Sequence, residues 1–154
     1  MNGWVTIRVE LVSGGGMDFD PGPGRVLLVG PSHTFGDLAA AINLHFARWD
    51  LSHLHDFRLA DGREIGFPDP DSPGTLDQNR ISVSSTLAKE DVFVFVFDFG
   101  DHWEHHCRVE DVDVDPEDLC GEAPRLPVPI WGWGSIPDQY GRRSENDTGD
   151  ELEV

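Results

Sequence analysis

Lysine is almost missing from this 154-residue chain: Lys89 stands alone, and the 11 Lys and Arg residues together are scattered along the sequence. Nucleic-acid binding rests on grouped cations that neutralise phosphates, so this scatter argues against DNA or RNA as a direct partner. An anionic membrane surface is disfavoured for the same reason. Cysteine is scarce too. Cys107 and Cys120 are too few for a disulfide framework, and a cytoplasmic protein with reduced thiols is expected. No apolar run approaches the roughly 18 residues a membrane-spanning helix requires. The amino-terminal segment has neither a basic region nor an apolar stretch of signal length. Catalytic signatures are missing as well: there is no H-E-x-x-H, C-x-x-C, G-x-S-x-G or G-x-x-x-x-G-K-[ST], which removes the best-marked zinc, serine-nucleophile and nucleotide-binding classes. Gly14, Gly15 and Gly16 sit between two strand-like segments, not ahead of a helix, and do not form a phosphate cradle.

What the chain has in excess is negative charge. Asp and Glu number 29, giving a formal charge of -18, which favours solubility through mutual repulsion. An apolar content of 38% is nonetheless enough for a globular body, expected as a single domain over residues 1–143. Residues 144–154 carry five acids and little to bury, and are expected to be a disordered acidic tail.

The stretch Val92-Phe93-Val94-Phe95-Val96-Phe97 alternates β-branched and aromatic residues without a charge, which marks a buried strand. It runs directly into Asp98-Phe99-Gly100-Asp101-His102-Trp103-Glu104-His105-His106, so a core strand delivers a dense polar cluster to one place. Gly100 would permit a tight reversal, with Asp98 and Asp101 accepting backbone hydrogen bonds in the turn. On the returning strand Trp103, His105 and Cys107 share one face, and His102, Glu104 and His106 the other. His105 is therefore the histidine expected to be buried and oriented by a partner, with Asp98 or Asp101 as the candidates. Cys107 reads as a small buried residue rather than a nucleophile.

Elsewhere, Val5, Ile7, Val9 and Leu11 define a half-buried strand over residues 4–12, followed by a Gly/Pro-rich loop and a second strand at 25–29, together a hairpin. Thr34 and Asp37 form a capping-box-like helix start. Phe35, Leu38, Ile42, Phe46 and Trp49 continue it as an amphipathic stripe ending near Asp50. A strand is expected over 52–59. Residues two apart on it would share a face, placing His53 and His55 about 7 Å from one another. Residues 66–80 read as a surface connection. Residues 124–141, with Trp131 and Trp133, read as an irregular strap laid across the body. The expected class is α+β: a mixed β-sheet with one main amphipathic helix packed on it, a β-grasp-like opening and that carboxy-terminal strap.

Ser52-His53-Leu54-His55-x-Phe57 after the helix, then Phe97-Asp98-Phe99-Gly100-Asp101-x-Trp103-x-His105, resembles the plasmid pRiA4b ORF-3-like family. Its members often share S-H-L-H-x-F and Y-D-F-G-D-x-W-x-H segments. The resemblance spans about residues 4–141 and is most specific at 95–105. It implies a bacterial protein associated with plasmids or mobile elements, but no particular activity. Where family members carry cysteines in the strap, this chain has Pro129 and Ile136, so a metal or redox role built on them is not expected here.

Two readings follow. The first is a non-enzymatic binding or accessory module without a cofactor. His53, His55, Asp98, Asp101 and His105 form a hydrogen-bonded network over Trp103, and the partner is a protein or small ligand. The second is a metal-dependent, hydrolase-like enzyme. His53, His55 and His105 then hold a divalent ion, with Cys107 offering a further donor and Asp98 or Asp101 acting as base or supporting carboxylate.

Overall fold

The computed structural model describes residues 2–140; the tail expected at 144–154 lies outside them. The chain opens with β1 (Val5–Gly14), a two-residue β2 (Met17–Asp18) and β3 (Gly24–Val29). Strands β1 and β3 pair antiparallel from Val5↔Val29 to Glu10↔Gly24, which makes the expected hairpin. Helix α1 (Phe35–His45) follows. Thr34 Oγ1 accepts from the Asp37 amide at 3.1 Å, and the Asp37 carboxylate accepts from the Thr34 amide at 3.0 Å. The capping box read from the sequence is thus complete.

The helix ends earlier than expected. Phe46 caps it, and Ala47 adopts φ 58°, which turns the chain so that the Arg48 amide reaches Asn43 O at 2.8 Å. Such left-handed C-terminal turns normally use Gly, and Ala47 gives no such signal. Trp49 therefore leaves the apolar stripe and is half exposed, while Phe35, Leu38, Ile42 and Phe46 are fully buried.

Next come β4 (His55–Leu59), β5 (Glu64–Gly66), β6 (Leu76–Asp77), the single turn α2 (Val83–Thr86), β7 (Val92–Phe97), β8 (Trp103–Val112), α3 (Pro116–Cys120) and β9 (Val128–Trp133). The connection over 66–80 contains β6, parallel to β5. The middle of the strap is more regular than expected, because β9 pairs antiparallel with β3 and extends the sheet edge. One sheet results, in the order β6-β5-β4-β7-β8-β1-β3-β9, with β2 attached to β1. The fold is α+β: a mixed sheet with one substantial helix.

The register fixes which side chains meet. Phe57, Phe95, His105 and Leu11 form one row across β4, β7, β8 and β1, and His55, Phe97 and Trp103 form the next. Both rows belong to the apolar face that α1 covers through Phe35, Leu38, Ile42 and Phe46. Alternate residues of the same strands face the other way, and there Glu104, His106 and Arg108 meet solvent. Period-two patterning therefore divides β8 into an apolar and a charged side.

Candidate functional site

The β7–β8 turn does not depend on Gly100 for its positive φ angles. Asp98 (φ 61°) and His102 (φ 53°) take them instead, a conformation that short polar residues tolerate better than most. Asp98 Oδ1 accepts from the Gly100 and Asp101 amides at 3.1 and 3.3 Å, as an aspartate in a turn is expected to do. The Asp98 amide donates to Leu54 O at 2.8 Å, and Asp101 O accepts from Gly15 N–H at 2.8 Å. The turn is thereby stitched to the segment before β4 and to the tip of the β1 hairpin.

His53 and His55 do not share a strand face, because β4 starts only at His55. Residues 50–54 form a separate segment, held by the end of the strap. The Gln139 carboxamide forms a closed pair with the Asp50 backbone: it accepts from the amide and donates to the carbonyl, both at 3.0 Å. Tyr140, the chain's only tyrosine, donates its hydroxyl proton to Asp50 Oδ2 at 2.8 Å. Its oxygen then accepts from His53 Nε2 at 2.7 Å. His53 Nδ1 faces Asp98 Oδ2 at 3.6 Å. The outer layer is thus a chain of contacts, Asp50–Tyr140–His53–Asp98. The Ser52 hydroxyl and amide, followed by Tyr140, hold the Asp50 carboxyl down at about 2. The hydrogen bond to that carboxylate pushes Tyr140 up to about 12.

His55 donates from Nε2 to Gln78 Oε1 at 2.8 Å and lies between Phe67 and Phe95. Burial lowers its pKa, partly offset by that hydrogen bond.

His105 sits deeper. Its ring is wedged between Phe46 and Phe95, with centroids 5.1 and 5.4 Å away. Its partner is not Asp98 or Asp101, as the sequence suggested, but the Phe95 carbonyl, 3.1 Å from Nδ1. A carbonyl can only accept, so Nδ1 carries the hydrogen and Nε2 is the bare acceptor of a neutral ring. Burial first, and the nearby Arg48 charge second, lower its pKa to about 3. Beside it, Trp103 is buried between Phe19, stacked at 6.4 Å, and the guanidinium of Arg48, 4.1 Å from the ring centroid. A Cβ added at Gly14 would fall 2.1 Å from the indole, which accounts for a glycine there. Cys107, on the same face, has its thiol pKa pushed up by burial and is not poised as a nucleophile.

The imidazole groups converge on a common aromatic surface. His55 and His105 both flank Phe95, while His53 and His55 both approach Phe97. They do not form a metal-ligand set. Among the described residues no three His, Cys, Asp or Glu side chains are grouped to hold an ion. The arrangement therefore lends no support to His53, His55 and His105 as a shared ligand set. Each ring has a nitrogen committed elsewhere, to Tyr140, Gln78 and the Phe95 carbonyl respectively.

The sequence reading missed Arg48, Asp50, Gln78, Gln139 and Tyr140. Arg48 lies two residues after the last member of the buried helical stripe, and Tyr140 is 87 residues from its histidine partner. Only the uniqueness of the tyrosine could have drawn attention to it.

A family model described as "Plasmid pRiA4b ORF-3-like protein" matches residues 8–136. An uncharacterized protein of Sinorhizobium fredii, y4hQ, is 41% identical over 69 residues, which is 40% of this chain and 33% of that protein. The chain thus spans about a third of the length of that relative. A crystal structure of a protein of unknown function from Methanosarcina mazei Go1 superposes with a TM-score of 0.61 at 21% identity, covering 84% of this chain and 68% of the other. That likeness is one of fold. Among the described residues no helix is long and apolar enough to cross a membrane.

Proposed function

The chain belongs to the plasmid pRiA4b ORF-3-like family, and from that premise we propose that it is a non-enzymatic binding or accessory module. Its working end is the corner where residues 50–55, the 98–105 hairpin and the strap end meet. The observation that carries this reading is how fully the outer side chains are committed to one another. Tyr140 gives its proton to Asp50, His53 gives one to Tyr140, and Asp98 is held by its own turn. A general base needs a free lone pair aimed at a substrate proton, and a nucleophile needs such a base beside it. Here the Tyr140 proton, the His53 Nε2–H and Asp98 Oδ1 are taken up in joining the strap end, residues 50–53 and the turn. The partner is a small ligand or a protein, not nucleic acid and not a membrane, in keeping with a formal charge of -18. We place the protein in the bacterial cytoplasm, in association with plasmids or mobile elements. The family description and the two free cysteines support that placement.

The test is a melting-temperature screen of a chemically diverse small-molecule set on the untagged protein, run beside His53→Ala and Asp98→Asn. Saturable stabilisation of the wild type, weakened in the variants, is expected. Turnover of ester, phosphoester or amide substrates that disappears in either variant would overturn the reading. So would stoichiometric metal lost on His55→Ala.

A further inference from the structure

Arg48 is buried to 3% exposure, yet Nε and both terminal nitrogens of its guanidinium make no hydrogen bond among the described residues. A desolvated charge is among the most costly groups to bury and is normally paired. Asp138 lies near enough for its charge to act on Arg48, but it supplies none of those nitrogens with a hydrogen bond. Two further polar atoms share the neighbourhood and the same condition: Trp103 Nε1, whose ring lies under the guanidinium, and His105 Nε2. Trp103 and His105 are two apart on β8 and face the same side. The left-handed turn at Ala47 carries the chain inward at this point. Two elements, the turn after α1 and strand β8, thus bring a cation, an N–H donor and a bare imidazole acceptor into one neighbourhood.

We propose that this group is a binding site for a small oxyanion that also carries a hydroxyl, such as an α-hydroxy carboxylate or hydrogen phosphate. The inference rests on the binding-module reading and names its ligand class. The guanidinium and indole N–H match oxygen acceptors, with the planar fork of Arg suited to a carboxylate or phosphate edge. His105 spends its only hydrogen on the Phe95 carbonyl, so Nε2 must receive a hydrogen bond, which the hydroxyl supplies. The acids around the corner, Asp50, Asp98, Asp101 and Asp138, restrict the occupant to one that is small and weakly charged. A polyanion would meet their repulsion before reaching Arg48. Gln139 and Tyr140 tie the strap end to Asp50, two residues beyond Arg48, and entry is by release of that end.

The experiment is titration of the full chain with glycolate, hydrogen phosphate, acetate and sulfate. It is read by melting temperature and by the indole N–H and arginine Nε–H resonances in nitrogen-15 spectra. Glycolate or phosphate should shift the Trp103 and Arg48 signals saturably. At about a hundredfold excess over the dissociation constant, the melting temperature should rise by roughly 5 °C or more. Comparing glycolate with phosphate identifies which source of the chemistry fits. Acetate and sulfate, which lack the hydroxyl at neutral pH, should be weaker by tenfold or more. In Arg48→Met the rise should vanish, while the variant alone melts no lower than the wild type, because an unpaired buried charge has gone. Lack of any saturable shift in the wild-type spectra overturns the proposal, as does a melting rise that survives in Arg48→Met. The spectra decide the matter if that variant fails to fold. A neutral ligand that binds independently of Arg48 would overturn this inference and leave the binding-module reading standing.

Discussion

Two adjacent histidines on β8 have opposite fates. His105 faces α1, is fully buried, and keeps one ring nitrogen on a backbone carbonyl and the other on nothing among the described residues. His106 faces outward and lies 2.7 Å from Glu104, whose other oxygen is 2.9 Å from His102. One step along a strand exchanges a low-dielectric interior for water, so similar side chains carry very different energetic weight. Polar groups on the inner face are costly and few, and their retention calls for an explanation. On the outer face they cost little. Three inner-face substitutions and one outer-face substitution test that contrast.

The largest effect is expected at Trp103. Truncation to Ala removes a buried ring that packs on Phe19, Gly14 and Arg48, and such changes cost about 3–5 kcal/mol. Trp103→Ala should be insoluble, or should unfold at markedly lower urea concentration. A soluble variant with an unchanged midpoint would remove the tryptophan from the core.

His105 comes next, through pH. Its pKa is about 3 in the folded protein against an ordinary 6.5. Between those values the unfolded chain binds a proton that the folded chain does not. Stability therefore rises with pH across that window and is lost as the pH falls. From pH 7 to pH 5 the loss should be about 2 kcal/mol, one pH unit being worth ~1.4 kcal/mol. His55 and His45, both lowered chiefly by burial, add losses of the same sign. Asp50 and Glu104 are held below the usual carboxylate range, so their losses come at lower pH. His105→Asn retains a donor toward Phe95 O but does not titrate. Urea midpoints at pH 7 and pH 5 should lie closer together in this variant than in the wild type. Equal separations would mean that His105 is not a neutral buried ring.

These two residues also mark what could be read before the structure was known. Alternation along β7 and β8 identified the inner face, and the Thr34–Asp37 pair identified the start of α1, because both signals are local. The end of α1 gave no signal, since Ala47 takes the left-handed turn in place of a glycine. The site was legible only in part. Its histidines and aspartates lie in two short motifs, but Arg48 and Tyr140 joined them through tertiary contacts that no spacing encodes. Asp98 was assigned to the wrong histidine for a related reason. Its side chain turns toward residues 50–54, whose course depends on Gln139 and the strap.

Gly14→Ala should follow, at about 1–3 kcal/mol, the range for forcing extra volume into a packed site. The new methyl would meet the Trp103 ring at 2.1 Å. The clash requires the indole, so the same substitution in a Trp103→Leu background should cost much less. The coupling in that double-mutant cycle is the quantity to measure. Additive effects would place the strain in the backbone rather than against the ring.

The smallest effect belongs to the outer face. Glu104 bridges His102 and His106, and hydrogen bonds first from His106 and then from His102 lower its pKa. On paper this is a better-connected group than His105. The bridge nevertheless lies where water competes for both imidazoles and salt screens the charges. Glu104→Gln should therefore change stability by less than ~1 kcal/mol, and the change should shrink further in 1 M salt. Urea midpoints at low and high salt measure this directly. A loss approaching that of the inner-face variants would mean that something covers this side of β8, and the contrast between His105 and His106 would then lie in packing partners rather than in access to water.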